Sequence, residues 1–177
     1  MAHKQRRQVA VGPNATLYFE DRLTMQYQIQ EILRTERIFE SDGVQEELDA
    51  YNPLIPSGSD LIATFMIEYE DAAERQRQLA KMIGIEDKVW VSVAGFERVW
   101  AIADEDMDRE NDEKPSAVHF LRFELSTPML DAIRSGATVA IGIDHPVYQH
   151  SIDPLADIVR DALADDLQTS SRSATCR

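Results

Sequence analysis

The sequence predicts an α+β domain with a mixed, mostly antiparallel sheet of about five strands, covered by helices and preceded by an N-terminal helical segment. The chain has 177 residues, 44% of them hydrophobic, which is enough for one domain with its own core. Segments in which apolar residues alternate are interspersed with segments in which they recur at helical spacing. Adjacent strand segments joined by tight turns favour antiparallel pairing.

A helical front is predicted for residues 14–51. Residues 8–11 form a short strand, and Asn14 then caps a long helix whose apolar stripe runs from Leu17 to Phe39. Asp42 and Gln45 have the spacing of a capping box, so a second helix is expected over residues 42–51.

A sheet-containing part is predicted for residues 60–167. The Pro- and Gly-rich segment NPLIPSGSD separates it from the helical front, and alternation over residues 61–69 predicts its first strand. A helix is expected over residues 72–83, because a capping box precedes it and Gly84 follows it.

The remaining elements follow from turn and cap signals. Residues 89–93 and 96–102 predict a β-hairpin, the acidic residues 104–116 a solvated loop, and residues 117–125 a further strand. Thr127 and Gly136 bracket a short helix, and residues 137–143 are typical of a buried strand. Asp153 with Pro154 opens the last helix, and residues 168–177 are expected to be a flexible tail outside the single domain of residues 1–167.

Composition and charge exclude several classes of protein. The formal net charge is -14 and the only basic run is Lys4 to Arg7, so nucleic acid is not expected as a partner. No segment resembles a secretory signal or a membrane span, which predicts a cytoplasmic protein without membrane contact. Cys176 is the one cysteine, so an internal disulfide or a cysteine-held zinc site is excluded.

Four polar residues are candidates for binding a ligand, namely Glu20, Arg22, Arg34 and Arg122. Glu20 is expected in the first turns of the long helix, where the helix dipole alone also favours an acid. Arg22 and Arg34 lie in a row of polar side chains that repeats every four residues, which suits either an anion or a solvated helix face. Arg122 lies on a predicted strand, where a cross-strand charge partner is the alternative.

Four other residues are candidates for binding a metal. His119 lies on a predicted strand among apolar neighbours, and Asp144, His145 and His150 follow the strand of residues 137–143. These oxygen and nitrogen ligands suit iron or zinc if they converge. The alternative for His119 is a buried, hydrogen-bonded histidine, and the alternative for Asp144 and His145 is an ordinary Asp-His-Pro turn. Convergence is also opposed by the strand itself, because adjacent residues of a strand point to opposite faces.

Four segments together resemble an uncharacterised bacterial family, domain of unknown function 3501. They are GPNATLYFEDRLTMQYQIQEILR, LDAYNPLIP, EKPSAVHFLRFEL and GIDHPVYQH. The resemblance implies a role in redox or peroxide defence, because members are often encoded beside a rubrerythrin-like protein and an iron-sulfur oxidoreductase. Relatives usually begin with a further helical stretch, which implies that this chain is truncated or its start misplaced.

Three functional hypotheses follow. The leading one is a non-catalytic accessory or binding protein that works with the redox partners implied by the resemblance, since phosphate loops, nucleophile elbows and dinucleotide fingerprints are absent from the sequence. The second is a small metal-binding protein or metal-dependent enzyme that uses the His and Asp candidates. The third is a structural domain whose apolar helix stripes meet in a homodimer.

Overall fold

The computed structural model describes residues 2–103 and 116–167. This part of the chain contains nine strands in two antiparallel sheets, so the α+β class is confirmed, and the strands divide between two sheets where the sequence predicted one. The strands are β1 (Gln8–Ala10), β2 (Ala15–Phe19), β3 (Asp60–Ile67), β4 (Val89–Val93), β5 (Val99–Trp100), β6 (Ile102–Ala103), β7 (Val118–Glu124), β8 (Val139–His145) and β9 (Tyr148–Ile152).

Six α-helices join and cover these strands within the described residues. They are α1 (Ala2–Gln5), α2 (Arg22–Glu36), α3 (Ser41–Tyr51), α4 (Ala72–Leu79), α5 (Thr127–Arg134) and α6 (Asp157–Asp166). A short 3-10 turn, Asn52–Leu54, follows α3, and another, Glu86–Lys88, precedes β4. None of the helices in the described ranges combines the length and apolar composition needed to cross a bilayer.

The first sheet has the strand order β1-β2-β3-β7-β6, and every neighbouring pair is antiparallel. The prediction that a helix begins near Asn14 and carries Leu17 was wrong, because ATLYF pairs with β3 as β2. These β-branched and aromatic residues fit a pleated surface, and burial between neighbouring strands outweighs the helical spacing. The predicted helical front of residues 14–51 therefore contributes a strand to the sheet.

The second sheet has the strand order β5-β4-β8-β9. The chain passes between the sheets within five residues, because β5 pairs with β4 whereas β6 pairs with β7 of the first sheet. The segment GIDHPVYQH, predicted to follow a buried strand, forms most of a hairpin in which His145 pairs with Tyr148 across a two-residue turn. The acidic loop predicted at 104–116 falls almost entirely outside the described residues, as does the predicted tail.

One apolar core joins the two sheets. Its buried residues include Leu17, Phe65 and Phe123 from the first sheet and Val91 and Ile141 from the second. Helices α5 and α6 add Leu130 and Leu163 to the same cluster. In β2, β3 and β7 the alternate residues therefore point away from this core and form the outer face of the five-stranded sheet.

Several helix boundaries differ from their predicted positions by a few residues. Helix α4 ends at Leu79 rather than at residue 83, although Gly84 has the predicted positive φ, 78°. The last helix begins at Asp157 and not at Asp153, since Leu155 first donates a backbone hydrogen bond to Val139 of β8. Backbone hydrogen bonding at sheet edges and in turns produces no periodic spacing of apolar residues in the sequence.

Candidate functional site

The outer face of the five-stranded sheet carries a row of side chains from three adjacent strands. Tyr18 of β2 pairs with Thr64 of β3, and Thr64 pairs with Phe120 of β7, so the three lie side by side on this face. Helices α2 and α3 run over part of the face. Met25 of α2 is buried there in a small second apolar cluster with Ile62 of β3.

A cavity of about 360 Å³ lies between this face and α2, and we name it the outer-face pocket. Its described lining is apolar and aromatic, with a few polar groups. The lining residues are Lys4, Arg7, Tyr18, Phe19, Glu20, Thr24, Met25, Gln28, Tyr51, Thr64, Met66, Val118 and Phe120. A concave apolar site with few polar groups is typical of small-molecule pockets.

Glu20 is the buried acid of this pocket. It lies between β2 and α2, and its backbone N–H donates to the carbonyl of Ile62 at 2.8 Å, which extends the β2–β3 pairing by one residue. Its side chain accepts a hydrogen bond from Thr64 Oγ1 at 2.6 Å. Only 9% of Glu20 is exposed, and no cation of the described residues lies within ion-pair distance of its carboxylate.

Arg7 forms one wall of the pocket and is held by two carboxylates. Its guanidinium makes two hydrogen bonds to Asp166 of α6, at 2.5 and 2.7 Å, and lies 3.1 Å from Asp21. His3 Nε2 also lies 2.7 Å from Asp21, and we name these four residues the Arg7 network. The network joins α1 and α6 to the start of α2.

The Arg7 network keeps its charges in a partly desolvated setting. Burial alone would lower the pKa of Arg7, but the hydrogen bonds and charge of Asp166, with the charge of Asp21, raise it above its ordinary value. Arg7 Nε is sealed from solvent and has no hydrogen-bond partner in the described residues. Arg7 therefore stays charged, and its charge is already balanced by its two partners.

Asp21 caps α2. Its side chain accepts from the backbone N–H of Thr24 at 2.8 Å, and Thr24 Oγ1 accepts from the backbone N–H of Asp21, which completes a capping box. Burial alone would raise the pKa of Asp21, but the Thr24 hydrogen bond and the charges of Arg7 and His3 hold it below its ordinary value. The helix thus begins directly after Glu20, which fixes that carboxylate at the junction.

Lys4 contributes the remaining cation at the rim of the pocket. Its Nζ lies 5.0 Å from the centre of the Tyr27 ring on α2, a cation–π arrangement. Lys4 also helps to lower the pKa of Glu31, one turn further along α2, after the larger effect of the Arg34 hydrogen bond. Lys4 is therefore engaged with the outside of α2.

The other three predicted ligand-binding residues lie elsewhere. Arg22 is exposed at the first residue of α2. Arg34 is 74% exposed and pairs with Glu31 at 2.6 Å on the same helix. Arg122 pairs with Asp60 at 3.0 Å, and Asp60 in turn accepts from the backbone and hydroxyl of Ser57. Of the four, the structure brings only Glu20 to the outer-face pocket.

The outer face of the four-stranded sheet carries a second, more open cavity of about 380 Å³. Arg98 lies 4.1 Å from the centre of the Trp90 ring and 3.5 Å from Asp144. The Gln149 amide donates to Asp144 at 3.4 Å. We name these four residues the Arg98 patch.

The predicted metal-binding residues do not converge. His119 is buried in the core, with Nε2 3.1 Å from the Ser116 carbonyl. His145 points inward, with Nε2 3.3 Å from the Ile83 carbonyl, whereas the adjacent Asp144 points outward to Arg98. His150 is exposed at an edge strand, with its ring against Tyr148. Within residues 2–103 and 116–167 there is no group of three or more His, Cys, Asp or Glu side chains that could hold a metal.

A family model described as a protein of unknown function (DUF3501) matches residues 1–167. The chain belongs to the DUF3501 family. This DUF3501 chain is also similar to a solved structure, a novel protein of unknown function from Burkholderia pseudomallei K96243, with 50% identity and a TM-score of 0.89. The similarity covers 94% of this chain and 86% of that one. No curated protein matches the chain.

Sequence reasoning missed most of the pocket of this DUF3501 protein. The sequence identifies Arg7 only as part of a basic run and assigns Tyr18 to the apolar stripe of a helix. It assigns Thr64 and Phe120 to strands without indicating a role for the faces on which they lie. The available signal was the composition of ATLYF, which favours a strand and would have put Tyr18 and Glu20 on the same outer face as Thr64.

Proposed function

We propose that this chain is a cytoplasmic, non-catalytic binding protein whose outer-face pocket holds a small organic molecule. The observation that supports this function is the combination of a cavity of about 360 Å³ with a buried acidic residue, Glu20, whose carboxylate lacks an ionic partner among the described residues. Ligand pockets have volumes of roughly 300–1,000 Å³. This pocket is at the small end and fits a molecule with one ring or a short chain.

The fixed register of the strands that line the pocket favours a ligand of one defined shape. Tyr18, Thr64 and Phe120 come from three hydrogen-bonded strands, which hold their backbones in fixed register. Thr64 orients the Glu20 carboxylate through its hydroxyl. Sites mounted on sheet strands lose less conformational entropy on binding than sites on loops, so the pocket is largely preformed.

The proposed setting is redox or peroxide defence, and it derives from the family resemblance. In this setting the chain works beside a rubrerythrin-like protein and an iron-sulfur oxidoreductase as an accessory binding protein. The net charge of -14 suits docking to a basic partner surface. The pocket and the partner are separate parts of the proposal, and each has its own test.

The pocket is tested with three probes of similar shape, 2-phenylethylamine, phenethyl alcohol and 3-phenylpropionate, each titrated into the full chain by NMR. We expect at least one probe to shift the amide resonances of β2, β3 and β7. Gln28→Trp should abolish the shifts by filling the pocket, whereas Gln30→Trp, on an exposed part of the same helix, should leave them. The absence of binding by all three probes would overturn the binding function.

The redox setting is tested by calorimetric titration of the full chain with the purified rubrerythrin-like protein and iron-sulfur oxidoreductase of the same organism. We expect a stoichiometric complex with one of them. Binding should weaken as salt is raised, because an acidic chain is attracted partly through charge. No heat of binding with either partner at low salt would remove the redox setting and leave the pocket to its own test.

A further inference from the structure

Of the two buried charged residues that line the outer-face pocket, Arg7 and Glu20, one has no counter-ion among the described residues. Arg7 is balanced by Asp21 and Asp166, and Lys4 lies against Tyr27 at the rim. Glu20 contacts the neutral hydroxyl of Thr64 and no cation among the described residues. The buried charge without a counter-ion is therefore that of Glu20, whereas Lys4 is exposed at the rim.

The Glu20 carboxylate has no cation beside it among the described residues, so a cationic ligand would be its counter-ion. An opposite charge placed close to a carboxylate inside a pocket is screened less than it would be in bulk water. One oxygen of Glu20 accepts from Thr64, which leaves the other oxygen without a hydrogen-bond partner among the described residues. That oxygen can accept a charge-assisted hydrogen bond from an N–H group of a ligand.

The walls of the pocket favour an organic cation over a metal ion. Tyr18, Tyr51 and Phe120 line it, and the faces of aromatic rings attract cations that shed their water easily. Met25 and Met66 add adaptable apolar surface. A calcium or magnesium ion needs about six oxygen ligands, whereas the described lining offers one carboxylate.

We propose that the ligand of the outer-face pocket is an organic amine or amidine with a small apolar body, whose charged nitrogen binds the Glu20 carboxylate. This assignment rests on the proposed binding function and deepens it. The apolar body lies against Tyr18, Tyr51 and Phe120. The net charge of -14 raises the local concentration of such cations around the whole protein.

The same three probes test the charge of the ligand. Their dissociation constants are measured by NMR for the full chain, for Glu20→Gln and for Glu36→Gln, which removes an equal charge from an exposed site on α2. We expect 2-phenylethylamine to bind roughly tenfold or more tightly than phenethyl alcohol, and 3-phenylpropionate to bind most weakly. Glu20→Gln should remove the preference for the amine, and Glu36→Gln should keep it.

The outcomes separate the two proposals. Equal or tighter binding of the alcohol or the carboxylate at the same amides would overturn the cation assignment and leave the binding function standing. Binding by none of the probes would overturn both. Phe120→Leu gives a second variant if Glu20→Gln fails to fold, and it should weaken the amine more than the alcohol, because the ring face attracts only the cation. An equal effect on both probes would contradict the assignment.

Discussion

The outer faces of the two sheets carry carboxylates in opposite circumstances. Glu20, above the five-stranded sheet, is 9% exposed and has no cation among the described residues, whereas the Asp144 side chain, on the four-stranded sheet, is 47% exposed and already meets Arg98 and Gln149. Solvent and partners satisfy Asp144, so a ligand would add little there. A ligand site is therefore indicated by a charged group that has no counter-ion in the fold, and not by the number of polar residues gathered in one place.

The two regions also differ in how their arginines are held. Arg7 has 6% of its side chain exposed and is held by two carboxylates and a carbonyl, whereas Arg98 has 48% exposed and one carboxylate at 3.5 Å. An ion pair in water is screened and contributes little, but a buried one leaves an uncompensated charge when either partner is removed. An arginine–carboxylate pair should therefore stabilise the fold much more in the Arg7 network than in the Arg98 patch.

The largest expected effect is that of Arg7→Ala. This change leaves Asp166 and Asp21 facing each other without their shared cation, and we expect the free energy of unfolding to fall by about 3–5 kcal/mol. Chemical denaturation at neutral pH measures it. Arg77→Ala, which removes an exposed arginine paired with Glu74, is the matched control and should change the free energy of unfolding far less. A loss of unfolding free energy for Arg7→Ala no greater than that for Arg77→Ala would contradict the prediction that the Arg7 network stabilises the fold.

The sequence was sufficient for the elements whose signal is local. Alternation found β3 and β7, and turn and cap residues located α5 between Thr127 and Gly136. It was insufficient for β2, whose apolar residues also fit helical spacing, and for β9, an edge strand whose central residues are polar and exposed. The assignment of β2 then decided the surroundings of Glu20, because a strand places alternate side chains on opposite faces whereas a helix does not.

The candidate site was predictable only in part, for a similar reason. Glu20 could be singled out as an acid near the start of a helix, but the residues that line its pocket, Thr64 and Phe120, are far away in the chain. The His and Asp candidates were chosen for their chemistry, and the pleat of β8 sends Asp144 and His145 to opposite faces. Convergence is a property of the sheet register, which composition and spacing do not encode.

A smaller effect should appear in acid, and it arises in the Arg7 network. The folded-state pKa of Asp21 lies below its unfolded value of about 3.9, so its stabilisation is complete above that value and is lost as the pH falls through the folded pKa. Unfolding is measured from neutral pH into this acid window for the natural chain and for Asp21→Asn, which keeps a capping oxygen. The stability gap between them should narrow as the pH falls. A gap that stays constant across the acid window would contradict the role given to Asp21.

The smallest effects should come from the Arg98 patch, and they complete the comparison. Asp144→Asn removes one half-exposed partner at 3.5 Å, and we expect it to cost under about 0.5 kcal/mol in unfolding free energy. Arg98→Ala should cost more, about 1 kcal/mol, because the guanidinium also lies against the Trp90 ring. The double variant, measured by denaturation beside the two single ones, gives the coupling between the two side chains. A coupling energy between Arg98 and Asp144 as large as the loss of unfolding free energy in Arg7→Ala would mean that burial does not determine how strongly an ion pair stabilises this fold. The difference between the two outer faces would then need another cause.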